Sequence, residues 1–264
     1  MLLSLDSGVS ALEQYQQQLN VIANNIANVN TVGFKSASVS FADTLSETMG
    51  TNSASAMQVG TGVTTVGINN NFTAGSLSST GVSTDLAVDG NGFFVVKDPT
   101  SGATYVTQDG EFTEDANGYL INSSGQRLQG SAGDIQISVG SDTTATVSSF
   151  TIGTDGTVTV NLSDGTTNSA GQITLQNFAD PSQLVKQGDN LYTSTTAAGG
   201  LAAAVTPGTS GTGTIKSGYL EMSNVDLASE LTSLITTQQA YAANGKVITT
   251  SDDILQNLIN LKQG

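Results

Sequence analysis

Cysteine, histidine and tryptophan are all absent from this 264-residue sequence. Without them no thiol nucleophile, histidine base, disulfide or Cys/His metal site can be built. Cations are scarce too: seven Lys and Arg stand against 22 Asp and Glu, a net charge of −15. That balance repels phosphate backbones and anionic lipid, which argues against nucleic acid and membrane surfaces as partners. Charged residues of both signs reach only 11 %, well under the roughly 25 % of an average globular protein. Ser, Thr, Asn and Gln fill their place, giving a neutral polar surface suited to packing against copies of itself. The longest apolar run, Leu201 to Val205, is far too short to cross a bilayer, so no direct membrane insertion is expected. A basic N-terminal region is missing and Asp6 breaks the first apolar run, so no cleavable signal peptide is expected either.

What the chain does have is concentrated at its two ends. The stretch from Ser223 to Lys262 reads as one long helix. Stepping back in sevens from Leu255 gives Ile248, Tyr241, Leu234 and Leu227, an apolar column at coiled-coil spacing. Its companion column is mixed: Leu231 and Ile259 are apolar, but Gln238, Gly245 and Asp252 lie between them. One dry seam and one half-polar seam make a poor isolated zipper and suit a bundle or array. The N-terminus matches it, with Leu2, Leu5, Val9, Leu12, Tyr15, Leu19, Ile22, Ile26 and Val29 at steps of three or four. The two ends are expected to meet, either in a helical hairpin closing a domain or in an assembly. Asn24, Asn25, Asn28 and Asn30 are costly in a helix, because their side chains compete for backbone hydrogen bonds. They predict a helix end followed by an extended segment from Phe34, and an amide network between helices or subunits.

Between the ends lie a low-complexity bridge, 36–80, and an all-β region. In the bridge, Val63, Val66, Ile68 and Phe72 suggest an extended arm with one apolar face. Strand candidates follow at Phe93 to Lys97, Thr104 to Thr107, Glu111 to Thr113 and Tyr119 to Asn122, separated by Asx-Gly turns. Thr157 to Val160 lies between Asp155-Gly156 and Asp164-Gly165 as a hairpin pattern, and Gln172 to Phe178 is a further strand candidate ended by Pro181. A calcium loop starting at Asp85 fails, since its third position is Ala87 and its twelfth Val96. Gly90-Asn91-Gly92 lacks the third glycine of a dinucleotide loop. The nearest carboxylate cluster, Glu111, Glu114 and Asp115, reads as a solvated hairpin end rather than a glycosidase pair. No enzyme activity, cofactor or metal site is expected.

The stretch ANNIANVNTVGFK at 23–35 resembles the N-terminal signature of the bacterial flagellar rod and hook proteins. SNVDL at 223–227 and ITTSDDILQNLINLK at 248–262 resemble the other end of that family, and DLAVDGNGFFVVKD at 85–98 with DGEFTEDANGYLINSSGQRLQG at 109–130 resembles its central domain. Two departures stand beside these matches: Gln238-Gln239 where a Gln-Arg pair is usual, and Gln108 where arginine is frequent.

The resemblance implies an α+β fold, with N- and C-terminal helices forming a coiled-coil layer around a tube and a central all-β domain outside it. The expected boundaries are 1–35 for the N-terminal helix, 36–80 for the linker or arm, 81–218 for the β domain and 219–264 for the C-terminal helix. Polymerising contacts are expected from Leu5, Leu12, Leu19, Ile22, Asn24, Asn25, Ile26, Asn28, Gly33 and Phe34 at one end. At the other end they are expected from Asn224, Leu227, Leu231, Leu234, Tyr241, Ile248, Leu255 and Leu258. Implied partners are copies of the chain in a helical tube, adjoining rod, hook and junction proteins, an assembly cap and the type III export apparatus. The wording LEMSNVDL at 220–227 is closer to short hook proteins, so a hook subunit, transmitting torque from rod to filament, is expected ahead of a distal or proximal rod subunit. A monomeric adhesin or binding module built on the β domain is the alternative from another class.

Overall fold

In the computed structural model, which describes residues 2–52, 55–138, 146–200 and 204–263, α1 spans Leu2–Ala27 and α2 spans Leu227–Gln263. α1 stops where the asparagines begin to bond locally: Asn28 donates through Nδ2 to the carbonyl and side-chain oxygens of Asn24, at 2.9 and 3.1 Å. α2 starts on an acidic cap, with Asp226 Oδ1 accepting from the backbone N–H of Ala228 at 2.9 Å. The expected α+β class is the fold observed.

The chain divides into two compact units, each discontinuous in sequence: residues 1–28, 36–71 and 225–264, and residues 29–35 and 72–224. In the first, α1 and α2 pack lengthwise. They run antiparallel, because Gly8 faces Ile248 while Asn25 bonds to Glu230. Two antiparallel pairs complete this unit: β1 (Ala37–Asp43) with β4 (Val63–Asn70), and between them β2 (Ser46–Asn52) with β3 (Ser55–Gly60). β4 does not have the single apolar face its sequence suggests. Val63 and Thr65 are half-buried while Val66 and Ile68 are exposed, because Val63 stands an odd number of residues from each of the latter and strand alternation puts them on opposite faces.

The second unit is all β. Its strands are β5 (Leu77–Ser79), β6 (Leu86–Asp89), β7 (Phe93–Lys97), β8 (Thr104–Thr107), β9 (Thr113–Glu114), β10 (Leu120–Ile121), β11 (Arg127–Gly130) and β12 (Gly133–Asp134). They continue with β13 (Val147–Ile152), β14 (Thr157–Leu162), β15 (Thr167–Gln172), β16 (Leu175–Gln176), β17 (Val185–Gly188), β18 (Leu191–Thr193), β19 (Thr214–Ser217) and β20 (Tyr219–Glu221). The main sheet has the order β17-β18-β8-β7-β11-β10-β9, with β16 joining β7 and β12 joining β11. β13, β14 and β15 form a separate meander. The continuous apolar run of β7 marks it as central: Phe94 and Val96 enter one core with Leu86, Leu128, Val160 and Leu175, while Phe93 and Val95 enter a second with Val106, Phe178 and Tyr192. The stretch from Gln172 to Phe178 is not one strand. It leaves β14 at Gln172 and joins β7 at Leu175, and on the way Ile173 N–H bonds to the Gly156 carbonyl at 2.8 Å.

Candidate assembly surface

Along the seam between the two helices, α2 buries small polar residues beside half-buried apolar ones, Leu234, Ile248 and Leu255. Thr237 and Ser251 are buried in α2, and Glu230, Thr237, Asn244 and Ser251 follow one another at steps of seven. Three of them satisfy themselves on their own helix: Thr237 Oγ1 bonds to the Ser233 carbonyl at 2.7 Å, Asn244 Nδ2 to Ala240 at 3.0 Å and Ser251 Oγ to Val247 at 2.8 Å. Close approach of α1 comes from its own glycine, set against a bulky residue of α2. At Gly8 a Cβ would stand 3.4 Å from Ile248 Cγ1.

The upper end of the seam is pinned by Asn25. It is fully enclosed and makes three bonds: Nδ2 donates to the Ala37 carbonyl and to Glu230 Oε1, each at 2.9 Å, and Oδ1 accepts from Ala37 N–H at 3.0 Å. One amide therefore joins α1, β1 and α2. On the other side of α1, Thr65 of β4 donates to Gln14 and Gln17, and Tyr15 meets Phe41 edge-on at 6.4 Å.

Spending small polar residues on the seam leaves apolar ones outside. Leu231 and Ile235 are 44 % and 54 % exposed. With Leu227 they form a ridge at steps of four on the first turns of α2, and Val247, Ile254 and Leu261 form another at steps of seven further along. Phe41, Leu45, Val66 and Ile68 extend exposed apolar surface onto the β1–β4 pair.

The residues expected at the assembly surface divide among several environments. Ile22 and Asn25 are buried in the helical unit, and Leu5, Leu12, Leu19, Ile26, Leu234, Ile248 and Leu255 are half-buried there. Leu227, Leu231 and Tyr241 are exposed, as is Asn24, while Asn28 is half-buried. The side chain of Leu258 lies outside the described residues. Gly33, Phe34 and Asn224 belong instead to the β unit. There Gly33 N–H bonds to the Glu221 carbonyl at 2.8 Å, Asn224 Nδ2 bonds to the Thr73 carbonyl at 3.1 Å, and the Phe34 ring carries the Lys186 ammonium 4.6 Å from its centre. Burial holds that ammonium below the usual lysine range.

Sequence reasoning missed the column through Thr237, Asn244 and Ser251. Its period of seven was the available signal, masked by the stronger apolar column beside it.

Comparison with known proteins bears on what this surface serves. The pattern of flagella basal body rod proteins matches residues 5–35, that of the flagellar hook protein FlgE/F/G D1 domain matches 87–160, and that of the flagellar basal body rod FlgEFG protein C-terminal region matches 216–261. The flagellar basal-body rod protein FlgG of Bacillus subtilis (strain 168) is 42 % identical over 272 residues, covering 100 % of both chains. The chain belongs to the flagellar rod and hook protein family. A second rod relative, the FlgG protein of Buchnera aphidicola subsp. Schizaphis graminum, is 41 % identical over 271 residues, with 99 % of this chain and 100 % of that one covered. The flagellar hook protein FlgE of Borreliella burgdorferi is 27 % identical over 447 aligned positions, covering 99 % and 100 %. A rod and hook family member is a structural subunit of the flagellar axis and resides in the bacterial flagellum. In this member the family's two terminal patterns fall on α1 with Gly33 to Lys35, and on β20 with α2.

Proposed function

We propose that this chain is a rod subunit, assembling with copies of itself into a straight tubular segment of the flagellar axis. The observation that carries this reading is co-extension. Relatives named as basal-body rod proteins align with the chain end to end over 271 and 272 positions, whereas the hook relative needs 447 positions against 264 residues and so has long stretches with no counterpart here. The hook expectation drawn from LEMSNVDL at 220–227 is the second reading.

Within the tube, α1 and α2 form the coiled-coil layer through which copies meet. The exposed ridges of α2 support this, because an apolar ridge left uncovered on a lone subunit gains roughly 25 cal/mol per Å² when a neighbour covers it. The net charge of −15 per subunit opposes assembly, so added salt, which screens it, should favour the tube. Adjoining rod, hook and junction proteins cover the end subunits, an assembly cap guides addition, and the type III apparatus exports the chain.

Electron microscopy of the concentrated full chain, beside a version lacking 1–27 and 227–264, tests the proposal. Straight tubes formed only by the full chain are expected. Curved tubes would return the reading to the hook, and a full chain that stays monomeric at high concentration would remove both.

A further inference from the structure

The sequence holds three Asn-Gly pairs: Asn91-Gly92, Asn117-Gly118 and Asn244-Gly245. In such a pair the glycine nitrogen can attack the asparagine side-chain carbonyl, because the following residue has no Cβ to crowd the approach. Tertiary structure decides which of the three is free to react. In Asn244-Gly245, Asn244 Nδ2 donates to the Ala240 carbonyl at 3.0 Å, and the Gly245 N–H lies within the hydrogen-bond ladder of α2. In Asn117-Gly118 the Gly118 N–H donates to the Asp115 carbonyl at 2.8 Å and Asn117 Nδ2 donates to Asp115 Oδ2 at 3.3 Å. The Asn117 carbonyl also accepts from Gln136 Nε2 at 2.9 Å, which fixes that turn further.

Asn91-Gly92, in the turn between β6 and β7, differs from both. The Asn91 side chain is exposed, and among the described residues neither its amide nor the Gly92 N–H has a hydrogen-bond partner. Gly92 is buried in the turn, yet both residues border a cavity of about 200 Å³ through which water and hydroxide reach the pair. Asn91 is flanked by Gly90 and Gly92, at φ of +124° and +147°, so neither chain neighbour carries a Cβ beside the reacting atoms.

We propose that Asn91 is a site of spontaneous deamidation in the folded chain, with water as the co-reactant. The Gly92 nitrogen gives its proton to hydroxide and bonds to Asn91 Cγ; the Cγ–Nδ2 bond breaks, and Nδ2 takes a proton from water and leaves as ammonia. Water then opens the cyclic imide at either carbonyl, so that one amide and one water become one carboxylate and one ammonium ion. The product is aspartate or isoaspartate. In isoaspartate the main chain runs through Cβ and Cγ, and the former Asn91 main-chain carbonyl, which accepts from Gly213 N–H at 2.7 Å, becomes a free carboxylate beside the chain. The Gly92 carbonyl, which accepts from Gln108 Nε2 at 3.2 Å, is displaced with it.

The test holds the full chain in mildly alkaline buffer and follows the amide-to-acid mass gain at each Asn-Gly pair by peptide mapping. A parallel sample in urea supplies the unprotected rate of each pair. In the folded protein Asn91 is expected to convert within about tenfold of its rate in urea, whereas Asn117 and Asn244, which must first break hydrogen bonds, should each fall more than about tenfold below theirs. Asn91→Gln lengthens the side chain and disfavours ring closure, so it should abolish the gain at that peptide. Protection of Asn91 as strong as that of Asn117 or Asn244, or a gain at that peptide that persists in folded Asn91→Gln protein, overturns the proposal. If the variant fails to fold, the comparison of folded and urea samples of the unaltered chain still decides.

Discussion

Lys35 and Glu221 are 186 residues apart in sequence, yet their charged atoms lie 2.7 Å apart in the interior of the β unit. The ammonium also donates to the Thr73 carbonyl at 3.0 Å, and the same carboxylate oxygen accepts from Gly75 N–H at 2.7 Å. This one ion pair therefore ties together the segments by which the chain enters and leaves the unit, 29–35, 72–75 and 221–224. A buried pair stabilises little beyond its desolvation cost, but a buried charge that has lost its partner is severely destabilising.

Lys35→Met alone and Glu221→Gln alone should accordingly each destabilise the β unit by about 3–5 kcal/mol. The double variant Lys35→Met, Glu221→Gln should be less destabilised than the sum. Urea unfolding of the four proteins measures this, and strict additivity would refute the coupling.

Asp109 is half-buried beside Asp85 and Glu111, and burial pushes its carboxyl up from 3.8 to about 6. The native state then binds more protons than the unfolded state between those values, so this group's stabilising effect is present below about pH 4 and is lost as the pH rises through 6. Asp109→Asn keeps the acceptor for Glu111 N–H, bonded at 3.1 Å. After allowance for solvent screening it should stabilise the protein by roughly 1–2 kcal/mol at pH 7. Near pH 3.5 the advantage should vanish, and unfolding midpoints at the two pH values check it.

On α2, outer ridge and inner seam should respond oppositely. Leu231→Ser and Ile235→Ser alter exposed side chains and should leave monomer stability within about 0.5 kcal/mol. Each should raise the concentration needed for assembly more than about tenfold, since about 1.5–3 kcal/mol of burial per contact is removed. Thr237→Leu and Ser251→Leu overpack the seam and should cost about 1–3 kcal/mol in the monomer itself. Sedimentation and thermal unfolding on the same samples separate the two effects.

Two glycines should also diverge. Gly245 lies in α2 with open space where a Cβ would go, so Gly245→Ala should stabilise the helix by about 1 kcal/mol. Gly33 holds φ at +66° with Asp109 N only 2.7 Å from the Cβ position, so Gly33→Ala should cost more than about 1 kcal/mol. A Gly33→Ala protein with an unchanged urea midpoint would contradict this packing.

The sequence by itself determined the two terminal helices, β7 and the class, but not the strand pairs β1–β4 and β2–β3 within the bridge it predicted at 36–80. The steps of three and four in α1, the sevens in α2, the four-residue apolar run of β7 and the Asx-Gly turns are local consequences of backbone geometry, legible without knowing what any face touches. The tertiary structure alone decided which face was spent on what. The apolar column of α2 is complete from Leu227 to Leu255, yet the fold buries Thr237 and Ser251 beside it and leaves Leu231 and Ile235 outside. Periodicity marks faces but does not name their neighbours, and hydroxyls satisfied on their own helix are buried in a way that no hydropathy pattern announces. Likewise Lys35 and Glu221 read as ordinary polar residues in the sequence. Their burial comes from contacts between distant segments, and long-range burial is what turns an ordinary charge into a clamp.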